Sequence, residues 1–318
     1  MISGINIISL FWVLSSIAIF CTHLLLTLRQ DMNNILSLLK NLFLFGKVKS
    51  FHNIKGERHL TTEDSNPWLT TIPKSWFTHF YAVGLVVHSF VFIFLVFCLF
   101  GSPVSNLIRN LQYWAIWGAS QNSEKNFNDS ALPVLIVFTT EWFQMLRRLY
   151  ECLFISTFSK STMSFVHYFY GIFLYSSFGI GLLISIPVEK LTFSTPNLLE
   201  SVRYILAVIL FLWASHFQHK SMLTFAALRL EQKDKKPTGH FIPHGHLFEL
   251  VSCPHFLCEI IIYISHCLVF KFSNVYLISV ALFVLVNQTV VSVTAHKWYR
   301  ENFPNYPPYR KAFLPYLW

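Results

Sequence analysis

Residues 80–102 read Phe-Tyr-Ala-Val-Gly-Leu-Val-Val-His-Ser-Phe-Val-Phe-Ile-Phe-Leu-Val-Phe-Cys-Leu-Phe-Gly-Ser, with no Asp, Glu, Lys or Arg among them. Coiled as an α-helix rising ~1.5 Å per residue, such a run crosses the ~30 Å hydrocarbon of a bilayer. A soluble fold has no interior for it, so the stretch decides the class: an all-α integral membrane protein.

Working outward, six further apolar runs are expected to span, at roughly 4–28, 131–149, 163–187, 201–217, 255–272 and 274–296. The third and fifth spans carry polar residues at their ends. The first is too long for a signal-peptide core and lacks basic residues before it, so it is kept as a helix. About seven transmembrane helices then form one bundle, a single membrane domain over 1–318. The composition agrees: 54% of residues are hydrophobic, 12% are charged and 33 are Phe.

The formal net charge of +9 follows from where the cations lie rather than from a soluble basic face, and nucleic-acid binding is not expected. If connections alternate sides, 19 Lys and Arg fall on the side of the C-terminus and 5 on the other. Basic residues are retained in the cytosol, which places the C-terminus there and the N-terminus in the lumen. The sequon Asn128-Asp-Ser130 falls in a loop assigned to the lumen. The stretch 29–78 reads as a cytosolic connection with an amphipathic helix over Met32–Phe45. The stretch 218–254, rich in Lys, His, Gly and Pro, reads as a long cytosolic loop.

Six cysteines show no C-x-x-C pair and no close framework, so reduced thiols are expected. His240, His244 and His246 have metal-like spacing but no Cys or carboxylate beside them, and no metal is expected. His23, His88, His167, His216 and His266 suggest no definite haem pairing. No internal repeat, G-x-G-x-x-G or Walker motif occurs.

Three polar stripes recur at helical spacing: Glu141, Gln144, Arg148 and Glu151; His255, Glu259, Tyr263 and His266; Gln288, Ser292, His296 and Tyr299. Ionisable groups inside spans usually face a cavity, so the stripes are expected to line one cavity open to the cytosol. Ordinary interhelical hydrogen bonding is the other reading.

The tail supplies the functional signal. His296-Lys-Trp-Tyr299 is followed by Tyr306-Pro-Pro-Tyr-Arg-Lys-Ala-Phe-Leu-Pro315. Arg147-Arg-Leu-Tyr-Glu-Cys-Leu153, Leu228-Arg229, Ile242-Pro-His-Gly245, Leu247-Phe-Glu-Leu-Val-Ser252 and Phe256-Leu-Cys-Glu259 precede it. Together these motifs resemble the steroid 5α-reductase family, best over 131–318. Pro73-Lys-Ser-Trp-Phe-Thr-His-Phe-Tyr81 and the Arg147 motif resemble its polyprenol-type branch. Leu230 replaces the Lys of the family's Leu-Arg-Lys segment, and Val291 and His255 stand where the steroid-reducing members carry Arg and Asn.

The resemblance implies an NADPH-dependent oxidoreductase of the endoplasmic reticulum membrane. Its reaction would saturate the α-isoprene unit of polyprenal or polyprenol, supplying dolichol for protein N-glycosylation. A long polyprenyl lipid is then the partner, with no obligate protein partner. By motif, Arg148, Arg229 and Arg310 would hold cofactor phosphates; His255, Glu259, His296 and Tyr299 would contact its ribose and nicotinamide end. Tyr81, with His79 nearby, would polarise the carbonyl or donate a proton, although an interfacial aromatic belt also accounts for both. Two alternatives stay open: a 3-oxo-Δ4 steroid 5α-reductase, and a non-enzymatic lipid-binding protein or transporter. Against a transporter, the chain lacks repeated halves.

Overall fold

The computed structural model describes residues 7–28, 71–100, 130–158, 162–235 and 241–316. Met32–Phe45 and Asn128 lie outside them. The described residues form seven helices: α1 (Ile7–Leu28), α2 (Thr78–Leu99), α3 (Ala131–Tyr150), α4 (Phe165–Ile184), α5 (Leu198–Lys235), α6 (Pro254–Val269) and α7 (Val275–Asn302). A two-stranded antiparallel sheet pairs β1 (Thr71–Pro73) with β2 (Thr162–Ser164), Ile72 standing opposite Met163.

Sequence explains most boundaries. Ser130 accepts from the Leu132 N–H, Ser164 from His167 and Asn274 from Leu277, each capping a helix start. Pro254 opens α6, where its missing N–H costs nothing. Exposed Val86, Phe90, Ile93 and Phe97 on α2, and Ile205, Ile209 and Leu212 on α5, face outward at helical spacing. In water these would be a liability; in lipid they are the expected surface.

Five helices are long and apolar enough to cross a membrane alone: α1, α2 with its preceding turn, α4, α5 and α7. The other two expected spans differ from independent crossings. α6 has 16 residues, ~24 Å of helix, and α3 carries Glu141, Arg147 and Arg148. Both pack on longer helices: α6 on α5 and α7, and α3 on α2.

The 218–254 loop is corrected. α5 runs to Lys235 with no Gly or Pro between 198 and 235, so 218–235 is helix rather than loop. At 38 residues, ~57 Å, α5 extends far beyond the hydrocarbon.

The non-helical pairings fit alternating passage. β1 and β2 precede α2 and α4. Ser130, before α3, bridges Thr192, before α5. Val251, before α6, bridges Lys311, after α7. Each pairing joins two segments that seven alternating crossings put on one face.

Candidate active site

α1 to α7 enclose a cavity of about 390 Å³ at the face where α2, α4 and α6 begin. That volume lies within the usual range for ligand sites. One end is polar, lined by Lys74, Arg148, His167, Gln218, Arg229, His255 and Glu259. The other is apolar, lined by Trp12, Ile19, Phe178, Phe283 and Val284.

Arg148 and Glu151 stand three residues apart on one face at the end of α3, where a π-helical turn, Glu151–Ile155, begins. Glu151, fully buried, accepts from Arg147 and Arg148, and lies 2.8 Å from His219 Nδ1. Arg147 also donates to Gln144 Oε1 at 2.7 Å and to Gln218 Oε1. Gln218 donates in turn to Glu259. α3, α5 and α6 are thus joined across one polar seam. The carboxylates of Glu151 and Glu259 offset Arg147 and Arg148, leaving Lys74 and Arg229 as surplus cations at the polar end among the described residues. Arg229 donates to the Thr157 carbonyl, which also lines the cavity.

Tyr81 is buried on α2 against Phe77 and Tyr175, their ring centres 5.5 and 4.9 Å away. Its hydroxyl accepts from Arg148 Nε at 3.2 Å and from the Tyr175 hydroxyl at 3.1 Å. Those bonds occupy both lone pairs and leave its own proton without an acceptor among the described residues. Gln288 on α7 lines the same cavity, and its Oε1 is buried without a hydrogen bond among the described residues. An orphaned buried acceptor beside surplus cations suits a ligand carrying both donors and anionic groups.

Of the expected site residues, Tyr81, Arg148, Arg229, His255 and Glu259 meet at this cavity. His79 does not: it is exposed, its Nδ1 3.0 Å from the Tyr168 hydroxyl, and it packs on Trp76. His296, Tyr299 and Arg310 gather in a second cluster. There Ser252 Oγ lies 2.6 Å from both His296 Nδ1 and the Tyr306 hydroxyl, and Tyr299 stacks on Tyr306. Arg310 is 1% exposed. It donates to the Pro243 carbonyl at 2.9 Å and reaches Glu249 and His244 at 3.5 and 3.3 Å.

The single cavity expected from three stripes is therefore corrected in part. Gln288 is the only member of the third stripe lining it, and Glu141 and His266 lie deeper in the bundle. The reason is geometric: a stripe of four residues climbs about three turns, further than one cavity wall extends.

The second cluster still touches the wall. Gly245, at φ +91°, allows the turn into His246–Glu249, and its N–H donates to Glu249 Oε1 at 2.6 Å. Phe248 in that turn packs on Phe225, which lines the cavity and packs on His255. The Gly245 N–H bond, with Arg310 and His244 beside it, holds the Glu249 carboxyl below its ordinary range.

Lys74, Gln218, Tyr175 and Trp12 were not read from sequence as site residues. Lys74 stood inside a quoted motif, two turns before Tyr81. Gln218 had a signal in the unbroken helical stretch after 217. Trp12 and Tyr175 had none, because aromatic residues are common on every span.

The comparisons follow from this geometry. The family described as 3-oxo-5-alpha-steroid 4-dehydrogenase matches residues 161–318. A polyprenal reductase of Xenopus tropicalis is 33% identical over 321 residues, covering 98% of this chain and 99% of its own. The chain belongs to the steroid 5α-reductase family. The polyprenal reductase of Xenopus laevis is 35% identical, with 99% of this chain and 97% of its own covered. That of Homo sapiens is 31% identical at the same coverage. As a member of this family the chain is an oxidoreductase that acts on a carbon–carbon double bond.

Proposed function

We propose that this chain reduces the α-isoprene double bond of polyprenal to give dolichal, with NADPH, at the cytosolic face of the endoplasmic reticulum membrane. The observation that carries the reading is the two-ended cavity: surplus cations at the polar end and an aromatic, aliphatic end reaching between the helices. The names and near-complete overlap of the relatives support the substrate class. The steroid alternative is disfavoured by the same relatives.

The residues fit a phosphate-bearing cofactor. Arg148 and Arg229 offer the guanidinium donors left over from Tyr81, Glu151 and Thr157, and Lys74 a third cation, groups that phosphates match. His255, Glu259 and Gln288 supply hydrogen-bonding groups further in. When bound, NADPH supplies hydride. His296, Tyr299 and Arg310 then act on the cavity through the 241–253 segment, with Arg310 fixing the turn that sets Phe248 against Phe225.

Conjugation decides between aldehyde and alcohol. Hydride adds to the β-carbon of an enal because negative charge moves onto an oxygen that a donor can stabilise. Tyr81 is that donor: Arg148 and Tyr175 bond to its oxygen, polarise it and aim its free proton into the cavity. An allylic alcohol offers no comparable electron sink.

The test is direct. Purified chain with NADPH and polyprenal should consume cofactor in step with dolichal formation, and a 3-oxo-Δ4 steroid should turn over more slowly. No oxidation of NADPH with any enal would overturn the reading. A C-terminal tag should be reachable after the plasma membrane alone is permeabilised; protection of that tag would overturn the orientation.

A further inference from the structure

The α3–α6 seam continues past the cavity as a polar ladder with no part in the reading above. The helices run antiparallel, and their facing groups meet in order. Gln144 Nε2 lies 3.5 Å from Glu259 Oε2, Glu141 lies beside Tyr263, and Thr140 Oγ1 lies 3.1 Å from His266 Nε2. Glu259 and Tyr263 line the cavity; Glu141 and His266 do not, and are 0% and 1% exposed. His266 Nδ1 stands 3.8 Å from Glu141 Oε2. Neither Glu141 oxygen nor that nitrogen meets ordinary hydrogen-bond geometry among the described residues; the Tyr263 hydroxyl approaches the carboxyl more loosely.

Among the described residues the surroundings supply no Lys or Arg. Phe178 and Phe211 cover His266, with ring centres 6.2 and 6.0 Å away. His88 on α2 donates its Nε2–H to the Phe138 carbonyl at 3.1 Å. Tyr276 on α7 donates to the Ser177 and Phe178 carbonyls. A purely structural buried carboxyl is hydrogen-bonded or paired with a cation. One held against an imidazole and a tyrosine, inside a membrane, marks a proton path.

We propose that Glu141 holds the proton that recharges Tyr263 during turnover, an inference that rests on the reductase reading above. Reduction of the enal adds a hydride to the β-carbon and a proton to the α-carbon. In the proposed step the Tyr263 O–H bond breaks and its proton forms the new α-carbon C–H bond, collapsing the enolate to the aldehyde. In the same step Glu141 gives its carboxyl proton to the Tyr263 oxygen, so both protons move together and no free phenolate builds up. That direction is downhill, since carboxylic acids are stronger than phenols by ~6 pH units. The Glu141 carboxylate regains one proton from water that enters the cavity after product leaves, by way of the Tyr263 hydroxyl, which lines it. One proton is consumed per turnover and no other reactant is needed. Glu141 acts through Tyr263 and is a positioning residue rather than a catalytic one.

Glu141→Gln keeps size and polarity and removes the transferable proton. With the full-length purified chain preloaded with NADPH, the single-turnover rate on polyprenal should fall at least tenfold. The KM for NADPH should stay within twofold of wild type. In mixtures of H₂O and D₂O, the wild-type rate should fall along a bowed curve, as two protons in flight require. A Glu141→Gln chain at the wild-type rate overturns the relay. If that variant does not fold, the wild-type curve decides, and a straight line overturns it. A wild-type chain inactive on every enal overturns the reductase reading and the relay with it, an outcome distinct from loss of the relay alone.

Discussion

Arg148 donates its Nε–H to the Tyr81 hydroxyl at 3.2 Å while its guanidinium carbon stands 5.1 Å from the centre of the same ring. One cation thereby grips both the oxygen and the face of a buried tyrosine. Glu151 holds the other end of the guanidinium, so the tyrosine is fixed through two residues of one helix turn.

Tyr81→Phe should lower kcat on polyprenal by about 100-fold, the scale of losing one oxyanion donor. The ring contacts with Phe77 and Tyr175 survive, so expression and melting temperature should change little. The KM for NADPH should also hold, because the hydroxyl serves the carbonyl. Steady-state kinetics in detergent separate these quantities. Unchanged kcat would remove Tyr81 from the site.

Lys74→Ala and Arg229→Ala should each raise the KM for NADPH by roughly tenfold, the scale of one lost charge-assisted contact. Their effect on kcat should be smaller. Neither residue touches the apolar end of the cavity, so the KM for polyprenal should stay put. A rise in the polyprenal constant alone would reverse the assignment of the two ends.

Gly181→Ala should destabilise the bundle by about 1–3 kcal/mol, as overpacking does. An added Cβ would overlap the Tyr276 ring. That ring is 1% exposed and its hydroxyl is tied to the Ser177 and Phe178 carbonyls, so it has nowhere to swing. Thermal unfolding in detergent reads the loss. An unchanged midpoint would mean that α4 and α7 can part at no cost.

Glu249 gives a pH dependence of definite sign. Its carboxyl is held below the ordinary carboxylate range by the Gly245 N–H, Arg310 and His244. A depressed carboxyl contributes stability above its unfolded value and loses it as pH falls through the folded one. Wild type should therefore melt higher than Glu249→Gln at pH 7. The gap should close as pH is lowered below about 4, the unperturbed carboxylate range. The side chain is partly exposed, so the gap will be modest. A gap that widens in acid would contradict the clasp.

The apolar runs and the polar stripes belong to the sequence. Hydrocarbon admits only helices with every backbone group bonded internally, so a run such as 80–102 specifies its own structure without knowledge of neighbours. Period 3.6 does the same for Arg148 and Glu151, or for Glu259 and Tyr263, which share faces wherever those helices sit. The unbroken stretch to Lys235 was equally legible, since nothing before Pro237 stops a helix.

Which stripe meets which was decided by tertiary structure. His296 and Arg310 carry motifs as distinctive as Arg148, yet they close a clasp with Ser252 and Glu249, while Trp12, from the far end of the chain, lines the cavity. Helix rotation and depth depend on close approaches such as Gly181 against Tyr276, and those depend on two surfaces at once. The same holds for Glu141 and Tyr263. Each is one residue of a local pattern, and only the antiparallel register of α3 and α6 sets the carboxyl beside the phenol.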